Sequence, residues 1–102
     1  MRNEALYNLA IEADKVAENN GGCGTCFCEL IKENIENSFS LKKSFYNWKR
    51  ENNIHTICSS VLFYLEDLGI IKILSGVANR NSGVDCNNLK IKVLHPSEGN
   101  KI

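Results

Sequence analysis

Up to Leu68 the apolar residues recur at intervals of three and four, and beyond Gly69 they alternate with polar ones. The first stretch predicts an amphipathic helix over residues 3–19. Leu6, Leu9, Ala10, Ala13, Val16 and Ala17 make one stripe, with Glu4, Glu12, Asp14 and Glu18 on the other face. Asn19-Asn20-Gly21-Gly22 stops it. A second helix is expected from a Thr25 N-cap to about Asn37, turning Phe27, Leu30, Ile31 and Ile35 inward. Ser38 and Ser40 are cap residues for a third, over roughly 40–52. Along it Leu41, Phe45 and Trp48 line one side at i, i+4 and i+7, while Lys42, Lys43, Lys49 and Arg50 lie mostly elsewhere. Trp48 with Phe45 reads as a core wedge. Asn52 and Asn53 break this helix, and a turn of a few residues leads to the next.

The fourth helix carries Leu62, Leu65 and Leu68 at helical spacing and ends at Gly69, since glycine takes a left-handed C′ position without steric cost. Ile70 to Leu74 is a short β-branched run. Residues 76–88 are polar and turn-rich, and Leu89-Lys90-Ile91-Lys92-Val93 alternates as a half-buried strand does. Residues 70–74 are therefore expected to pair antiparallel with 89–94.

A helix, a glycine stop and two strands around a loop make the second half of a winged helix-turn-helix. Leu62, Leu65, Gly69, Ile70 and Ile71 match the "Leu-x-x-Leu-x-x-x-Gly-Ile/Leu-Ile/Val" ending of many recognition helices in that family. The chain resembles the winged helix-turn-helix DNA-binding domains over about its last two-thirds. The resemblance implies a mainly α fold with a small antiparallel β wing (α+β) and an extra N-terminal helix. The order α-α-α-α-β-β leaves the family's first small strand either absent or around Phe39. As one domain, 1–102 divides into an N-terminal helix (1–22, a dimerisation arm), a winged-helix core (23–95) and a flexible tail (96–102).

On this resemblance residues 56–68 form the recognition helix. Cys58, Leu62 and Leu65 point inward, and His55, Thr56, Ser59, Ser60 and Phe63 occupy the outer face, where hydroxyl and imidazole groups reach base edges or phosphates. Lys42, Lys43, Lys49 and Arg50 flank the DNA backbone, and Arg80 at the wing tip enters a minor groove. No Arg or Gln stands among residues 55–68, so the commonest specific contact, arginine to guanine, has no donor there.

Charge changes the picture through its distribution. The formal net charge is zero. Residues 1–40 hold three basic against seven acidic residues, and residues 41–102 nine against five. A basic second half suits contact with phosphate. No apolar run reaches the ~18–20 residues of a membrane span and no signal-peptide pattern opens the chain, so a cytoplasmic protein without membrane contact is expected.

Three of five cysteines crowd into Cys23-Gly-Thr-Cys26-Phe-Cys28; the others are Cys58 and Cys86. Cys-x-x-Cys after a Gly-Gly turn is half a zinc knuckle, and the second half is missing. The cluster reads as reduced thiols, with Cys28 and Cys58 as small core residues. A metal or iron–sulfur site and a redox disulfide are the alternatives. If the helix starts near Thr25, Cys26 and Cys28 diverge by about 200°. No bound metal and no cofactor are therefore expected. His55 and His95 stand in no catalytic motif, Gly21, Gly22 and Gly24 lack a phosphate-loop ending, and no enzyme activity is expected. Glu66 and Asp67 read as solvated residues. The partner expected is double-stranded DNA, bound by a small transcriptional regulator, with homodimer formation through 3–19. The alternative is a protein-interaction module, such as a phage- or plasmid-encoded inhibitor that docks on a larger host protein.

Overall fold

A computed structural model describes residues 4–19, 24–55, 57–80, 83–85 and 87–94, with the side chains of 24–26, 57 and 58 outside that description. Among these residues four helices precede a two-stranded antiparallel sheet: α1 (Glu4–Asn19), α2 (Gly24–Glu36), α3 (Phe39–Glu51), α4 (Ile57–Asp67), β1 (Ile71–Ser75) and β2 (Lys90–Val93). The chain is thus mainly α with a small β hairpin. Phe39 opens α3 instead of forming a strand, and no third strand exists among the described residues.

The helix boundaries follow from local chemistry. Ser38 caps α3 from an extended backbone, its Oγ accepting from the Leu41 amide at 3.5 Å. Two helices end in the same way. After α3, Asn53 takes φ +57, with Asn53 N donating to Arg50 O and Ile54 N to Lys49 O. After α4, Gly69 takes φ +75, with Gly69 N donating to Glu66 O and Ile70 N to Leu65 O. Both are Schellman endings, and in both the following isoleucine, Ile54 or Ile70, is buried and fastens the turn to the core.

The core gathers Leu6, Phe27, Ile31, Leu62, Leu65 and Ile71 with their neighbours from all four helices and β1. The α1 stripe is rotated from its expected position. Tyr7 is buried and Val16 is exposed, while the Tyr7 hydroxyl donates to Gly69 O at 2.9 Å and ties α1 to the end of α4. Because α1 packs extensively on α2 and reaches β2, its apolar stripe is used inside the domain. Leu68, expected at helical spacing with Leu62 and Leu65, follows the last turn and is exposed.

In the sheet Ile71 faces Val93, Lys72 faces Lys92 and Ile73 faces Ile91, with an irregularity before Ser75 meets Lys90. Leu89, Ile91 and Val93 are half-buried against the core and Lys90 and Lys92 point to solvent, as the alternation requires. Gly76 bends the chain out of β1 at φ +93, where an added Cβ would collide with the Leu89 backbone. No helix among the described residues is long and apolar enough to cross a membrane.

Candidate functional site

The surface of α4 offers little to a ligand. Its described side chains at 59–62, 64 and 65 are all buried, so this is an interior helix. Ser59 and Ser60, expected on an outer reading face, are 0% exposed and are corrected to core positions. Small side chains there let neighbouring elements approach closely, and no buried side-chain N or O among the described residues lacks a hydrogen-bond partner. Thr56 lies outside the described residues. His55 is exposed just before the helix.

Phe63 is half-buried because Arg80 covers it, the guanidinium standing 4.7 Å from the ring centroid. Arg80 is not a free wing tip either. Its Nη2 meets Asp67 Oδ1 at 2.7 Å and its Nη1 meets Oδ2 at 3.2 Å. Trp48 Nε1 donates to the same Asp67 Oδ2 at 2.8 Å. The hydrogen bond to Asp67 raises the already high pKa of Arg80, against an opposing loss of solvation. Glu66, expected to be merely solvated, accepts the Ile73 amide at 2.9 Å. The end of α4 is thus a clasp joining α3, the hairpin loop and β1. Beneath it Trp48 stacks on Phe45 at 6.2 Å and meets Tyr64 edge-on at 5.4 Å, which places both rings as the expected wedge. Burial raises the Tyr64 pKa.

The open surface is on α3. At about 100° per residue, Lys42, Lys43, Lys49 and Arg50 fall within an arc of about 120°. The core residues Leu41, Phe45 and Trp48 lie on the opposite side. Lys42, Lys43 and Arg50 are exposed and Lys49 is half-exposed. Among the described residues none of the four makes an ion pair. Two residues that sequence reasoning passed over complete the stripe: Phe39, 83% exposed, and Tyr46, 41% exposed. The Lys49 ammonium lies 5.7 Å from the Tyr46 ring centroid. A groove at the end of the stripe is lined by Tyr46, Lys49, Arg50, Asn53, Ile54 and His55. Spacing alone signalled this face, since residues 39, 42, 43, 46, 49 and 50 recur every three or four positions.

A further basic face was also missed. Lys72 stands directly across from Lys92, with Lys90 on the same side of β2, and none of them has an ion-pair partner among the described residues. Like charges opposed across strands weaken a sheet by tenths of a kcal/mol, on the order of 0.2–1.

Cys23, Cys86 and His95 lie outside the described residues, as do the side chains of Cys26 and Cys58. Cys28 is buried in the core. Among the described residues no three His, Cys, Asp or Glu side chains converge to hold a metal ion.

The fold and its surfaces define a small, mainly helical α+β domain with a clasped hairpin and a basic helix face. No family model, no curated protein and no solved structure matches the chain.

Proposed function

We propose that this is a winged helix-turn-helix domain that binds double-stranded DNA through α3 and the α3–α4 turn, as a small regulator would. The α3 stripe carries this reading. Four cations share one face, no carboxylate interrupts them, and no ion pair among the described residues neutralises them. Lys42 and Lys49 are separated by about 10 Å along the helix axis, enough to span several charges of a duplex that carries one per ~1.7 Å. The order of helix, tight turn, helix and hairpin supports the winged-helix reading. Phosphate contacts hold a duplex without reading it. Any sequence preference would then come from His55 beside the stripe and from DNA shape, because the α4 side chains at 59–62, 64 and 65 are buried.

The test is fluorescence anisotropy with several duplexes between 50 and 200 mM salt, a range over which phosphate contacts lose affinity steeply. Lys49→Ala with Arg50→Ala should weaken every duplex alike and flatten the log K against log salt slope by about 0.9 for each lost contact. Unchanged binding in the double variant removes the stripe from the interface.

A second reading, a protein-interaction module docking on a larger host protein, is favoured by a groove of about 360 Å³ between α1 and the sheet. Phe27, Leu89 and Ile91 line it, Leu74 is 55% exposed beside it, and Asp14 and Lys90 give its rim both signs of charge. Mixed charge around apolar side chains suits protein better than polyanion. A chain that ignores duplexes at low salt would move this reading to first place.

A further inference from the structure

The rings in the α3 stripe are not explained by a duplex. Read along the helix, the exposed face runs Phe39, then Lys42 and Lys43, then Tyr46, then Lys49 and Arg50. Ring and cation alternate, each step advancing about 5 Å along the axis. On the helical wheel Phe39 and Tyr46 differ by only about 20°, so the rings lie almost in line with cations on either side. Phe39 is the most exposed large apolar side chain among the described residues, at 83%. A single exposed ring is ordinary. Two in line, inside a carboxylate-free cationic stripe, form the pairing found where bases stack on aromatic side chains while cations follow the phosphates.

An unkinked duplex offers these rings no base face, because its bases are stacked on one another inside the helix and present only edges to the grooves. An unpaired strand presents a π-face on every base. Burial of the α4 side chains at 59–62, 64 and 65 points the same way, since none of these can read base edges in a major groove.

We propose that the α3 stripe binds single-stranded nucleic acid, with bases stacked on Phe39 and Tyr46 and phosphates held by Lys42, Lys43, Lys49 and Arg50. The inference rests on the reading of this stripe as a nucleic-acid surface and names the form of polymer it prefers. Lys49, already poised over Tyr46, keeps a positive charge beside the ring on which a base would stack. Stacking tolerates any base, so the preference is for strandedness over sequence.

The experiment titrates the protein with labelled 20-mers of deoxythymidine, deoxyadenosine and uridine, and with a hairpin duplex, at low salt. The expected result is tighter binding to the single strands. Phe39→Ala with Tyr46→Ala should lower single-strand affinity by about fivefold to a hundredfold for each stack lost, at ~1–3 kcal/mol per stacked base, and leave duplex affinity within about twofold. Phe39→Trp with Tyr46→Phe, which keeps both rings, should retain single-strand binding. Lys49→Ala with Arg50→Ala should weaken both polymers. Deoxyribose against ribose arms decide which polymer the stripe takes. Unchanged single-strand affinity in the ring-less variant, or an equal loss on the duplex, overturns the stacking assignment and leaves duplex binding standing. Binding to neither polymer overturns both. Phe39 and Tyr46 are outside the core, so circular dichroism and thermal melting of the variants should match the parent.

Discussion

Individual residues are governed here by burial. Leu65 is 0% exposed at the centre of the core, beneath the turn that Gly69 closes. Leu65→Ala removes apolar area and leaves a cavity, so chemical denaturation should register a loss of roughly 2–5 kcal/mol. Asp14 is the instructive polar case. Burial, and then repulsion from Glu18 one turn away, raise its carboxyl above the ordinary value of 3.8. The folded state therefore holds this proton more tightly than the unfolded chain. That contribution is complete below the ordinary carboxylate range and is lost as pH rises through the raised value. At neutral pH the ionised group is a net cost. Asp14→Asn should raise the melting temperature at pH 7, and the difference from the parent should vanish as pH falls below 3.8.

At the scale of elements, the end of α4 organises its surroundings. Asp67 accepts from Trp48 and from both terminal nitrogens of Arg80, holding the hairpin loop to α3. The Arg80 and Asp67 side chains are 39% and 32% exposed, so solvent screens the pair and it contributes about 0–1 kcal/mol to global stability. Its larger effect is local order. Arg80→Ala should scarcely move the melting temperature, yet redden Trp48 emission and speed proteolysis within residues 76–89. An unchanged rate of cleavage would mean that the loop is held by its own contacts, such as Ser75 Oγ to Asn88 O at 2.6 Å and the Asn88–Asp85 bonds.

For the whole molecule, the question is whether α1 is an arm or a wall. Leu6, Tyr7, Ala10 and Ala13 are buried, and the Tyr7 hydroxyl bonds Gly69 across the core. A chain that begins at residue 23 would expose the facing sides of α2 and β2. It should lose its cooperative thermal transition, because a domain this small has no spare core. A cleanly melting 23–95 fragment would restore α1 to the role of an added arm. The charge halves also acquire a location. The basic half is divided between the α3 stripe and the lysine face of the sheet, while acidic Asp14 and Glu18 rim the groove between α1 and the hairpin.

Sequence by itself determined the local structure. Four helices, their order, the Ser38 cap, the Gly69 stop and the antiparallel hairpin all follow from periodicity, capping and φ preferences, which act within a few residues. The cations of the α3 stripe were legible for the same reason. Tertiary structure alone decided which faces remained open. Ser59 and Ser60 are polar, and polar residues on a helix normally face water, but α4 is surrounded and small hydroxyls fit inside it. Arg80 and Asp67 stand 13 positions apart, and no local rule pairs them. Tyr7 reaches Gly69 across 62 positions. Burial and long-range pairing depend on how elements pack against one another, and that packing is a property of the assembled core, not of any window along the chain.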